Sequence, residues 1–284
     1  MATLKELKIR RKSVTSTKKV TSSMKMIAAS RLRRSQDNMM KARPYSNRLR
    51  EVVSSLLDAD TDNNHPFLKE FDSEKNLYIV VTSDRGLCGG FNSNIIKKFF
   101  KVFDRKKDDF IAVGNKVIQK VLKEGLEPVN VYRDAFQKFD YSLANSLGTE
   151  INNLYSTGKY KSIILLYNSF VNAVSQEVLL DQILPVQKME VEEGESVYQD
   201  FIVEPSHKTI LNGLFPKYIN TLIWRGLLES FASENAARMN AMESATDNAE
   251  QMINDLTLLI NKARQAAITN EIAEIVGGSA AIQN

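Results

Sequence analysis

The stretch with the strongest chemical promise is IVVTSDRGLCGG, Ile79 to Gly90, where a run of β-forming residues breaks into a glycine-studded turn holding the chain's one cysteine, Cys88. A dinucleotide cradle needs G-x-G-x-x-G opening a helix, so that the backbone can approach a pyrophosphate. Gly86, Gly89 and Gly90 fall in a different order. A P-loop needs Lys and then Ser or Thr after its second glycine, and Gly90 is followed by Phe91 and Asn92. A nucleophilic thiol needs a base. The two histidines, His65 and His207, lie in connector-like sequence without supporting context. A structural reading fits better: the glycines permit a tight strand-to-helix turn, and Asn92 or Ser93 is placed to cap the next helix. Gly86, Cys88, Gly89 and Gly90 are therefore read as a structural turn, in a Rossmann-like position without Rossmann chemistry.

No other group of residues makes a catalytic, cofactor-binding or metal-binding set. One cysteine and two histidines disfavour a structural zinc site and exclude an intrachain disulfide. Glu192, Glu193 and Glu195 read as a solvated acidic loop. The helical methionines, Met24, Met26, Met39, Met40, Met239 and Met242, read as seam or core, although methionine also suits surfaces that re-pack.

The elements around the turn fall into three segments. Residues 1–57 contain no glycine and one proline, Pro44, and residues 208–276 contain only Gly213, Gly226 and Pro216 as breakers. Both predict helices of roughly 75–100 Å at 1.5 Å per residue, the second stopped by Gly277-Gly278. A seam follows Ala237, Ala241, Ala245, Asn248, Met252, Leu256, Leu259, Ala263, Ala266, Asn270 and Ala273, with a mean step close to the helical 3.6. Leu4, Leu7, Val14, Val20, Met24 and Ile27 give the first helix a similar face. The two are expected to pair antiparallel. Between them, residues 75–205 alternate β-rich runs with helical patterns, the signature of a parallel wound sheet, and the later adjacent strands allow an antiparallel hairpin at one edge. The expected fold class is α/β: a long antiparallel coiled coil of N- and C-terminal helices plus a central Rossmann-like α/β domain.

Charge is asymmetric. Residues 1–50 hold fifteen Lys/Arg and two acids, Glu6 and Asp37, a net +13; with the whole chain at +4, the remaining 234 residues sum to −9. Such an arm predicts an acidic partner: nucleic acid, an anionic membrane surface or an acidic protein loop. No apolar run approaches the roughly 20 residues needed to span a bilayer, and nothing at the start reads as a signal peptide.

Five stretches carry a family resemblance: VTSSMKMIAASRLRRSQ, RPYSNRL, TSDRGLCGGFNSNI, ESFASENAARMNAMESATDNAEQMI and NKARQAAITNEIAEIVGGSAAI. They resemble the γ subunits of rotary F-type ATP synthases of bacterial type, most specifically at the C-terminus and more loosely between about 95 and 205. The resemblance implies a central rotor stalk with no active site or cofactor of its own. It would lie peripherally on the cytoplasmic face of the bacterial plasma membrane. Its partners would be three α and three β subunits, the ε subunit and the membrane c ring. Ion-driven rotation of that ring would drive ATP synthesis at the β sites, and ATP hydrolysis would reverse it. Met24 would be a coupling position facing the C-terminal helix near Arg238 and Gln265. Arg264, Gln265 and Thr269 would touch β-subunit loops. Phe201, Val203 and Glu204 would lie in the foot near the c ring, although the family pattern leads one to expect more tyrosine there. The basic arm would face acidic β-subunit segments. The rival readings are a basic coiled-coil nucleic-acid binder, whose arm lacks interleaved aromatics apart from Tyr45, and a Rossmann-type enzyme, whose fingerprint fails.

Overall fold

The computed structural model describes residues 3–59, 65–137, 139–187, 204 and 207–282. They belong to two compact units, residues 1–28 with 239–284, and residues 29–238. The helices are α1 (Leu4–Ala59), α2 (Phe91–Val102), α3 (Asn115–Lys123), α4 (Tyr141–Ser156) and α5 (His207–Ile282). The strands are β1 (Asn76–Val81), β2 (Asp109–Val113), β3 (Asn130–Tyr132), β4 (Ser162–Phe170) and β5 (Gln176–Leu184). No described helix is long and apolar enough to cross a membrane.

The first unit is helical. Thr3 and Glu6 open α1 with a capping box: Thr3 N–H donates to Glu6 Oε2 at 2.8 Å and Glu6 N–H to Thr3 Oγ1 at 3.3 Å, satisfying two donors that have no intrahelical partner. Lys18 pairs with Glu250 at 2.8 Å, the Thr21 and Thr246 hydroxyls meet at 2.7 Å, and Lys25 pairs with Glu243 at 2.6 Å. Numbers rise on one helix as they fall on the other, so the pairing is antiparallel, as expected.

The period of the seam differs from the expected one. On α5 the covered face runs Met242, Thr246, Ala249, Ile253, Leu256, Ile260, Ala263. The steps alternate four and three, a 3.5-residue repeat. Met252 and Leu259, expected in the seam, are 42% and 49% exposed. On α1, Leu4, Leu7, Val14 and Thr21 keep the same repeat down to the buried Ala28, whereas Val20 and Ile27 are solvent-facing. A straight helix repeats every 3.6 residues, but two helices that coil about each other hold a common face only at 3.5. A seam drawn at 3.6 therefore drifts off the contact. The glycine pair does not stop α5 either, which continues through Gly277 and Gly278 to Ile282. A helical glycine costs about 1 kcal/mol relative to alanine, but it ends a helix only where the backbone turns left-handed.

In the second unit, the sheet order is β3-β2-β1-β4-β5. Strands β1 to β4 are parallel in their pairings, and β5 runs antiparallel to β4, matching the wound sheet with an edge hairpin. Central β1 is buried along nearly its whole length, so it reads as a continuous apolar run rather than an alternation. One sheet face packs α2 and α3 through Ile95, Phe99, Val117 and Val121. The other packs α4 with the unit's parts of α1 and α5 through Val53, Leu56, Leu147, Phe215 and Ile223. Gly148 lets α4 approach α5: a Cβ there would lie 1.7 Å from Asn220 Oδ1.

Candidate functional site

The glycine turn leaves the C-terminal end of β1, beside β4, where strand order reverses and open α/β sheets usually bind ligands. Its geometry follows from a few side chains. Ser83 N–H donates to Asn92 Oδ1 at 3.0 Å, and Asn92 Nδ2 donates to Ser83 Oγ at 2.8 Å and to Cys88 Sγ at 3.1 Å. Asn92 thus ties the helix start back to the strand end. It does not cap α2: the N-cap is Gly90, without a side-chain cap, and Ser93 Oγ donates to the Gly90 carbonyl at 3.0 Å. Both helix-cap candidates are corrected by this arrangement, because Asn92 lies inside the helix, where its side chain reaches the strand. Gly89 takes a φ of 55° and Leu87 a φ of 62°. Only the first is conformationally easy.

Asp84, not singled out from the sequence, holds the turn's other side. Its Oδ1 accepts the Asn115 N–H at 3.2 Å and its Oδ2 the Phe136 N–H at 2.8 Å. Arg238, from α5, donates to the carbonyls of Arg85 at 3.4 Å and Gly86 at 3.3 Å and to Glu234 Oε1 at 2.6 Å. Glu234 is buried, its Oε2 has no hydrogen-bond partner among the described residues, and burial pushes its carboxyl above the usual range against the pull of Arg238. The turn therefore offers carbonyl oxygens to a guanidinium. A phosphate cradle needs the opposite polarity, N–H groups converging on an anion. Burial also pushes the Cys88 thiol up, which works against a reactive thiolate. His65 is structural: its ring lies 4.3 Å from Phe215 and its Nδ1 accepts the Phe67 N–H.

The remaining candidates lie on helices. Met24 is half-buried on α1, one residue from Lys25, which pairs with Glu243. The register places it level with Glu243 and Ser244. Gln265 lies about twenty residues further along α5, roughly 30 Å at 1.5 Å per residue, so the expected closeness of Met24 to Gln265 does not occur. The cause is the register fixed by the Thr21–Thr246 contact. Arg238 is engaged by the glycine turn of its own unit. Arg264, Gln265 and Thr269 are exposed on α5, and Thr269 Oγ1 donates to the Gln265 carbonyl at 2.9 Å. Glu204 is exposed outside regular structure. Phe201 and Val203, and the acidic residues 192–195, lie outside the described residues. In the basic arm, Lys18, Lys25 and Arg48 are paired with carboxylates among the described residues. The sequence signal that could have found Glu234 is its i,i+4 spacing to Arg238.

Comparison with known proteins gives a consistent answer. A family model described as ATP synthase matches residues 3–282. An ATP synthase gamma chain from Pelotomaculum thermopropionicum is 41% identical over 285 residues, covering all of both chains. One from Geobacter metallireducens is 42% identical over 288 residues, again covering all of both. A chain from a solved structure of Euglena gracilis mitochondrial ATP synthase aligns with a TM-score of 0.70 at 19% identity, covering 98% of this chain and 94% of that one. One from a structure of the Tetrahymena thermophila mitochondrial ATP synthase central stalk and c ring has a TM-score of 0.61 at 24% identity, covering 80% and 99%. At these identities the two solved structures speak for the fold alone.

Proposed function

The chain belongs to the ATP synthase gamma chain family, and from that premise we propose how its geometry serves a central rotor stalk. The observation that carries the reading is the antiparallel pairing of α1 with α5 at a 3.5-residue repeat. Two supercoiled helices make a slender element that transmits twist, because the Thr21–Thr246 contact and the buried Met242, Ala249, Leu256 and Ile260 resist slippage of one helix along the other. The flanking ion pairs Lys18–Glu250 and Lys25–Glu243 are solvent-accessible and worth about 0–1 kcal/mol each.

The partners in this reading are three α and three β subunits around the helical pair, an ε subunit and a c ring. The chain itself does no bond chemistry. Arg264, Gln265 and Thr269 present an exposed cation, amide and hydroxyl to β-subunit loops, and the cations of the basic arm that make no ion pair among the described residues, Arg43 and Arg50 apart, face acidic segments of β. Contacts of this kind are individually weak and screened, which lets the stalk release one β subunit as it engages the next. Met24 acts from within the helical pair, by fixing its packing near Glu243. Arg238 acts by holding the glycine turn to α5. Phe201, Val203 and Glu204 belong to the foot that meets the c ring. The complex is membrane-bound and this chain peripheral to it, on the cytoplasmic face.

The test is assembly and rotation. The chain is mixed with α and β subunits, the complex isolated, a bead attached to the chain and ATP added. Stepwise turning in thirds of a revolution is expected, and Arg264→Ala with Gln265→Ala lowers torque without changing the helicity of the isolated chain. A well-folded chain that forms no complex with α and β would sink the reading.

A further inference from the structure

A cavity of about 650 Å³ opens in the second unit between α1, the first residue of α4 and α5. That volume falls within the range of small-molecule sites. Its walls combine two chemistries. Tyr45, Tyr141 and Trp224 supply aromatic surface. Trp224 is held in place by Phe139, stacked at 4.9 Å, and by Tyr141, edge-on at 5.7 Å, so the indole is fixed rather than free to collapse into the space.

The second chemistry is positive charge. Arg43, Arg50 and Arg225 line the cavity, with Glu229 as the one carboxylate in its wall. Arg225 is balanced by Asp181 at 3.7 Å and Glu229 at 3.4 Å. Arg43 and Arg50 form no ion pair among the described residues. They stand seven residues apart on α1, two turns along one face, about 10 Å. Between them is Pro44, which has no N–H to give the carbonyl of Met40 and so weakens the helix there. An uncompensated cationic pair beside fixed aromatic rings selects a ligand that is anionic at one end and apolar at the other.

We propose that this cavity binds an amphiphilic anion, its carboxylate or phosphate head held by Arg43 and Arg50 and its hydrocarbon body laid against Tyr45, Tyr141 and Trp224. A ligand seated there touches both α1 and α5 and braces α1 at its proline. The inference does not rest on the rotor reading, since it concerns binding to the chain alone.

Trp224 is the only tryptophan in the chain, so its emission reports on the cavity directly. The full chain is titrated with dodecyl phosphate below its micelle concentration. Dodecyltrimethylammonium, inorganic phosphate and ADP are run in parallel. A saturable change in Trp224 emission is expected with dodecyl phosphate alone. Arg43→Gln and Arg50→Gln should each weaken it about tenfold and Arg43→Lys should restore most of it, whereas Lys101→Gln, on α2, leaves it unchanged. Competition by phosphatidylcholine vesicles containing phosphatidylglycerol identifies a lipid source, and its absence a free amphiphile; both support the site. Equal binding of the cationic surfactant or of ADP, no saturable change, or full-strength binding by both glutamine variants at native helicity overturns the proposal. The last of these would leave the groove as an apolar seat for another protein.

Discussion

The buried Glu234 and the partly buried Arg238 form an i,i+4 pair on α5 whose cation is shared with another element: Arg238 Nη1 donates to Glu234 Oε1 at 2.6 Å, while Nη2 reaches the carbonyls of Arg85 and Gly86 in the glycine turn. One guanidinium therefore neutralises a carboxylate and pins a loop. Only one oxygen of Glu234 is satisfied, since the second has no hydrogen-bond partner among the described residues.

Arg238→Ala is expected to cost about 3–5 kcal/mol, because it strands a buried carboxylate and frees the turn. Urea unfolding of the full chain measures it. A loss under about 1 kcal/mol would mean that the turn is held by Asn92 and Asp84 alone.

The same pair sets a pH dependence. Burial raises the Glu234 carboxyl above its ordinary 4.5. A raised folded-state value means that its stabilising contribution is complete below about 4.5 and is lost as pH rises through the folded value. The stability of the chain relative to Glu234→Gln should therefore decline as pH increases from 4.5 toward 7. Unfolding curves of both proteins across that interval check it; a constant difference would show that Arg238 fully offsets the burial.

The repeat of the helical pair can be read by alanine substitution. Ile260 is 6% exposed and its neighbour Leu259 49%. Ile260→Ala should cost about 2 kcal/mol or more and Leu259→Ala within about 0.5 kcal/mol, by loss of helical circular dichroism in urea. Equal costs would favour the 3.6-residue seam.

Thr21 and Thr246 should be coupled. Their hydroxyls meet at 2.7 Å, and Thr246 also donates to the Met242 carbonyl at 2.7 Å. A double-mutant cycle with Thr21→Val and Thr246→Val should give an interaction energy of about 0.5–1 kcal/mol. Strict additivity would mean that the contact does not lock the register.

Two glycines should respond in opposite directions to alanine. Gly213 is exposed on α5 with open space around its Cβ position, so Gly213→Ala should stabilise by about 0.5–1 kcal/mol. Gly148→Ala pushes a methyl into Asn220 and should destabilise by about 1–3 kcal/mol. Thermal unfolding of the two variants distinguishes the effects.

Sequence by itself determined the two long terminal helices, the strands β1 to β5, the wound character of the sheet and the family. These rest on local rules: apolar period, absence of breakers, and the order of β and α runs. It also identified the glycine turn as lacking phosphate-cradle spacing, since that chemistry depends on residues close in the chain. Tertiary structure alone decided the rest. The seam period shifted from 3.6 to 3.5 because each helix bends to follow its partner. Met24 came level with Glu243 rather than Gln265 because cross-helix contacts set the register. Arg238 was committed to Arg85 and Gly86, some 150 residues away in sequence, because the core folds α5 back over the end of β1. Distance along the chain carries no trace of such a meeting, and the i,i+4 pair with Glu234 was its only local sign.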